Sequence, residues 1–150
     1  MRNGFQRIIE TLPSNSQVLD VGAMGLGGEN TTKYLWKRFG ENVTCLNKEQ
    51  IGHAIDIVAD FYTYDFKEKY DVVVLDMKVK DNIEKDWTFD GFCRIFNLLS
   101  SKGIFITYLI TDYQELEYQD FDISKLFDIF AIFPEGRRNN IVWVAFKKNV

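Results

Sequence analysis

Metal chemistry has almost nothing to draw on in this sequence. The 150 residues include one histidine, His53, and two isolated cysteines, Cys45 and Cys93, whereas a zinc site needs several His, Cys or carboxylate ligands at close spacing. Cys45 stands in an apolar, strand-like run and Cys93 in a helix-like one, so both are expected as buried free thiols rather than as a disulfide. Long apolar runs are missing too. None approaches the roughly 18 residues that a membrane helix needs, and "MRNGFQRIIETLPSNS" carries glutamate and polar residues where a signal peptide has its apolar stretch. No membrane association and a cytoplasmic location are the resulting expectations. Nor is there a long basic run. The net charge is −4 and the pI about 5.0, while nucleic-acid binding draws much of its affinity from Lys and Arg that neutralise phosphates. Nucleic acid is therefore not an expected partner, and the adjacent Arg137 and Arg138 in the turn-like "PEGRRNN" read as solvated.

Bulky apolar residues are plentiful. Aromatics reach 15%, with 13 Phe and 7 Tyr, inside a hydrophobic share of 46% and a charged share of 27%. That is the composition of a globular chain, of a length that suits one domain, 1–150, with rings filling much of its interior.

In chain order, Phe5, Ile8, Ile9 and Leu12 of "GFQRIIETLP" recur at i, i+3, i+4, i+7, a short amphipathic helix closed by Pro13. "QVLDVG" reads as a buried strand. "NTTKYLWKRFG" follows as a helix, with Asn30 or Thr31 able to cap it and Gly40 able to end it. "NVTCLN", "IDIVADF" and "YDVVVLDM" are further strands, the last nearly all apolar as an interior parallel strand should be. "KEQIGHA", between the second and third strands, is too short for a full helix. "WTFDGFCRIFNLL" (Trp87 to Leu99) is helical, "SSKGIFITYLI" returns to strand, and "DISKLF" allows a short helix. Two final strands, "FDIFAIFP" and "IVWVAFKK", flank "EGRRNN", a hairpin-like connection. Strands alternating with helices imply an α/β fold: a doubly wound, mostly parallel seven-stranded sheet with helices on both faces and a C-terminal antiparallel hairpin. Ligands in such sheets lie beyond the carboxyl ends of the strands, where strand order reverses.

The turn after the first interior strand, "DVGAMGLGG", falls at that crevice. Gly22, Gly25, Gly27 and Gly28 lie within a seven-residue window, and glycine there accepts positive φ and lets a ligand rest on bare backbone. A dinucleotide fingerprint wants G-x-G-x-x-G, but Gly22 is followed by Ala23 and Met24; a phosphate loop wants a Lys-Ser/Thr pair after its last glycine, and none is present. Neither phosphate-centred motif fits, which leaves a cofactor without phosphates or a purely structural corner.

Taken together, the segments resemble the class I S-adenosylmethionine-dependent methyltransferases. "VLDVGAMGLGG" resembles that family's first motif, "VTCLN" the strand that ends at the ribose, "DIVADFYTYDF" the segment that carries an acid to the adenine, "YDVVVLDM" the strand whose end faces the reacting methyl, and "LLSSKGIFITYLI" with "IFAIFPEGRRNNIVWVAFKK" the closing strands. The resemblance runs from about Val18 to the C-terminus and implies a minimal Rossmann-like methyltransferase fold without a cap domain. It also implies S-adenosylmethionine as cofactor. Asp20 would orient the methionine end, with Gly22, Ala23 and Gly25 lending backbone. Asn47, or Glu49 beside it, would meet the ribose. Asp60 would accept the adenine amino group, and the Phe61 backbone N–H would face a ring nitrogen. Two positions depart from the pattern. Met24 replaces a glycine, and Asn47 replaces the usual acid, whose two oxygens can take both ribose hydroxyls where an amide has one acceptor oxygen.

Methyl transfer is an in-line displacement governed mainly by alignment, and a general base is needed only for a protonated acceptor. Asp76, at the end of the fourth strand, is the candidate base or acceptor-orienting group, ahead of Lys78 and Asp81. The stretch "DMKVKD" lacks the Asn/Asp-Pro-Pro-aromatic signature of methyltransferases that act on nucleobase amino groups. The expected activity is methylation of a small-molecule or sugar acceptor, with a homodimer as a way to cover an open acceptor site. The alternative is a catalytically silent methyltransferase-like binding or scaffold module.

Overall fold

A computed structural model describes residues 4–23, 31–50, 55–75, 89–110, 125–134 and 141–149. In chain order the elements are α1 (Gly4–Glu10), β1 (Val18–Val21), α2 (Thr31–Phe39), a 3-10 turn (Gly40–Asn42), β2 (Val43–Asn47), β3 (Ile57–Val58), β4 (Tyr70–Leu75), α3 (Phe89–Leu98), β5 (Leu99–Ile110), β6 (Phe127–Pro134) and β7 (Ile141–Lys148). The strands form one sheet in the order β3-β2-β1-β4-β5-β7-β6. Neighbours are parallel from β3 across to β5, and β7 then pairs antiparallel with both β5 and β6. The order reverses at β1, whose two neighbours are β2 and β4, so Val21 at its end lies beside Leu46 and Leu75.

The strands alternate their side chains between two apolar layers. Leu19, Val21, Leu46, Val73, Leu75 and Phe105 pack with Phe92, Ile95 and Leu98 of α3. Val18, Cys45, Val72, Val74, Ile104 and Ile106 face the other way, with Phe5, Ile8 and Ile9 of α1 and Leu35 and Phe39 of α2. That is the period of two that a strand imposes, satisfied on both faces because helices lie on each.

The helices follow from their sequences. In α1 the apolar positions noted above are buried, and a Cβ on Gly4 would stand 2.5 Å from that of Phe133, so only a bare residue lets the helix start there. The Phe5 ring meets Trp143 at a centroid distance of 4.8 Å. Arg38, at the end of α2, donates from Nη2 to the Leu12 carbonyl at 2.6 Å and ties the two helices together. Gly40 ends α2 at φ +59°, as a left-handed terminator should.

Three expectations change. The sheet is mixed rather than mostly parallel, because β7 enters reversed, and three α-helices cover it among the described residues. "IDIVADF" yields only a two-residue strand. At its start the Asp56 carboxylate, not a strand carbonyl, takes the Cys45 N–H at 2.8 Å, and past Ala59 the chain coils into a turn around Asp60. Cys93 is partly exposed rather than buried, while Cys45 is buried and both thiols are free. Trp87, His53 and the first part of "DISKLF" lie outside the described residues. No described helix is long and apolar enough to cross a membrane.

Candidate functional site

The C-terminal ends of β1, β2 and β3 meet at one edge of the sheet, beside the point where strand order reverses. The chain leaves β1 through Gly22, at φ +78°, a conformation that costs a side-chain-bearing residue roughly 1–2 kcal/mol. Its N–H and that of Ala23 both reach the Leu46 carbonyl, at 2.9 and 3.0 Å. Asn47 completes the tie. Its Nδ2 donates to the Ala23 carbonyl at 2.8 Å, and its Oδ1 accepts the Glu49 N–H at 3.0 Å. A carboxylate at position 47 has no proton to give Ala23, so the amide has a local reason to be there. One donor and one acceptor site of the carboxamide remain for a ligand.

Asp60 stands next along the edge, since the Ala59 N–H bonds the Asn47 carbonyl at 3.0 Å. Its Oδ1 accepts the Tyr62 N–H at 2.9 Å, and its Oδ2 lies 3.6 Å from Lys48 Nζ. Both side chains are well exposed, and such a pair contributes little energy, which leaves Oδ2 easily available to another donor. The Asp60 carbonyl takes the N–H groups of Thr63 and Tyr64 at 3.2 and 3.0 Å, winding residues 60–64 into a single helical turn.

Asp20 is placed differently. It is fully enclosed, at 0% exposure, and its Oδ2 accepts the Thr32 hydroxyl at 2.8 Å. It therefore braces the first turn of α2 against β1. Its charge is felt next door: burial first, then Asp20, pushes the Cys45 thiol up to about 12, so that thiol is no nucleophile. Phe61 is buried, with its ring edge-on to Tyr62 at 5.3 Å. Gly25, Met24 and Asp76, with Lys78 and Asp81, lie outside the described residues.

One residue that motif reading passed over governs the turn at Asp60. Arg94 projects from α3 and donates from Nε to the Phe61 carbonyl at 2.8 Å and from Nη2 to the Tyr64 carbonyl. Its guanidinium also lies over the Phe61 and Phe66 rings, 5.3 and 5.6 Å from their centroids. The signal is in the sequence: Arg94 is the one cation in the largely apolar "FDGFCRIFNL".

Comparison with solved structures decides the fold. N-methyltransferase NodS from Bradyrhizobium japonicum WM9, in complex with S-adenosylhomocysteine, superposes with a TM-score of 0.65 over 99% of this chain and 89% of its own, at 10% identity. The 1,6-didemethyltoxoflavin-N1-methyltransferase from Burkholderia thailandensis, with its namesake compound and S-adenosylhomocysteine bound, gives 0.67 over 98% and 79%, at 16% identity. An rRNA methylase from Streptococcus thermophilus gives 0.61 over 97% and 94%, at 13% identity. The chain has the class I methyltransferase fold. No protein-family model and no curated protein matches it. Within this fold, the edge formed by Ala23, Asn47 and Asp60 lies on the β2 and β3 side of the strand-order reversal at β1, and open α/β sheets hold their ligands beside such a reversal.

Proposed function

We propose that this protein binds S-adenosylmethionine at the edge formed by Gly22, Ala23, Asn47 and Asp60 and transfers its methyl group to a small-molecule or sugar acceptor. The observation that carries this reading is the convergence of Asn47 and Asp60, on neighbouring strand ends, beside the positive-φ turn at Gly22. The donor set suits the group. Asp60 offers a carboxylate oxygen engaged only by the exposed Lys48 to an exocyclic amino group, the Phe61 N–H serves the same ring, and Asn47 retains one acceptor and one donor for a ribose hydroxyl. When bound, S-adenosylmethionine supplies an electrophilic methyl on a positively charged sulfur. The chain's own contribution is placement: Asp60 and Asn47 fix the adenosine end, and Asp20 braces the first turn of α2 against β1. Asp76, following the strand that ends beside Val21, takes the acceptor's proton on a carboxylate oxygen where the acceptor arrives protonated. The acidic pI of about 5.0 disfavours a nucleic-acid acceptor.

A second reading, a catalytically silent module of the same fold, draws on the prior commitments of the edge. Both N–H groups of Gly22 and Ala23 and half the capacity of Asn47 are used within the chain. Titration calorimetry separates the two. Saturable binding of S-adenosylmethionine and S-adenosylhomocysteine is the expected result, with Asp60→Ala weakening both by about tenfold. Absence of binding at millimolar ligand selects the silent module.

A further inference from the structure

Arg94 stands on α3, yet its Nε and Nη2 donors are turned to the segment that follows Asp60. A partly buried guanidinium on an apolar helix needs a reason, because burying its donors without partners is costly. Here the partners are the Phe61 and Tyr64 carbonyls, the open end of the single helical turn that begins when the Asp60 carbonyl accepts the Thr63 and Tyr64 N–H groups. A cation capping the last carbonyls of a turn both satisfies them and opposes the turn's dipole. The planar group also stacks over Phe61 and Phe66, so two hydrogen bonds and two ring contacts hold Phe61, Tyr64 and Phe66 from one point on α3. At the other end of the turn, Asp60 Oδ1 receives the Tyr62 N–H. Holding the Phe61 carbonyl fixes the peptide plane between Phe61 and Tyr62, and with it the direction of that N–H. That direction decides which way the Asp60 carboxylate presents its second oxygen.

We propose that Arg94 is a positioning residue for adenine recognition: from α3 it sets the aim of Asp60 Oδ2, and so the selectivity for a 6-amino purine. The inference rests on the cofactor reading given above. Lysine is a poor replacement, because one ammonium cannot bridge both carbonyls in the planar fork of an arginine.

The test compares S-adenosylhomocysteine with its analogue carrying hydrogen in place of the 6-amino group, measured by calorimetry on wild type, Arg94→Met, Arg94→Lys and a control in the opposite core layer, Ile8→Val. Wild type and Ile8→Val are expected to prefer the 6-amino compound by about tenfold, the effect of one hydrogen bond to a charged acceptor. Arg94→Met should bind both compounds with nearly equal affinity, and Arg94→Lys should fall between. Should Arg94→Met not fold, the Arg94→Lys ratio carries the comparison. A wild-type chain that binds neither compound overturns the cofactor reading. A wild-type chain that discriminates, with Arg94→Met (or, should it not fold, Arg94→Lys) discriminating to the same extent, overturns the role of Arg94 alone.

Discussion

Cys45 shows how one side chain reports its surroundings. It sits opposite Asp20 in the β1–β2 pairing, fully buried, and burial and the neighbouring carboxylate push its thiol from 9.0 to about 12. The folded chain thus holds the proton more tightly than the unfolded one. The stabilisation is complete below pH 9.0 and is lost as the pH rises through the window up to about 12. Thermal unfolding followed between pH 8 and 10.5 should show a falling Tm whose slope is shallower in Cys45→Ala. An equal slope in both would place the dependence on other groups. In the native state a thiol reagent should label Cys93, which is partly exposed, well before Cys45.

At the scale of the element, the passage from α3 into β5 is a tight joint. Leu99 pairs with Tyr70 but Ile104 with Val72, so the β5 side carries extra residues, taken up by Lys102 in the left-handed region at φ +62°. Gly103 follows where a Cβ would come within 2.9 Å of the Ser100 carbonyl oxygen and the Leu99 Cβ. Backbone cannot yield as a side-chain tip does, so Gly103→Ala should destabilise by about 1–3 kcal/mol, the range for overpacking. Chemical denaturation measures it, and a change below about 0.5 kcal/mol, the size of an ordinary surface substitution, would show that the joint has slack. The sequence reads "SSKGIFITYLI" as strand throughout; the positive φ at Lys102 arises only once β5 is paired with β4 and the register shifts.

At the scale of the molecule, one aromatic cluster joins the parallel part of the sheet to the hairpin. Phe92 of α3 meets Phe105, Phe127 and Phe146 at 6.0, 6.3 and 6.4 Å, and Phe105 stacks on Phe146 at 5.9 Å. These rings come from four elements and are fully or nearly fully buried. Phe92→Ala should cost about 3–5 kcal/mol, as large aromatic truncations in a core do. Because the cluster spans both parts, β6 and β7 should lose amide protection together with β5 in hydrogen exchange; loss confined to the hairpin would mean that the two parts fold separately.

Local chemistry determined much of this architecture in advance. The bounds of β6 and β7, the helical periods of α1 and α3, the glycine stop of α2 and the class I methyltransferase fold are all written in neighbouring residues, because helix period, strand period and turn geometry are set over a few positions. Tertiary structure alone decided the partners. Asn47 serves Ala23 from 24 residues away, Arg94 serves Phe61 from 33 residues away, and Asp20 takes the Thr32 hydroxyl of α2. Each of these polar groups has several candidate partners in the sequence, and the choice is made only when packing brings one within hydrogen-bond reach and takes the others out of it.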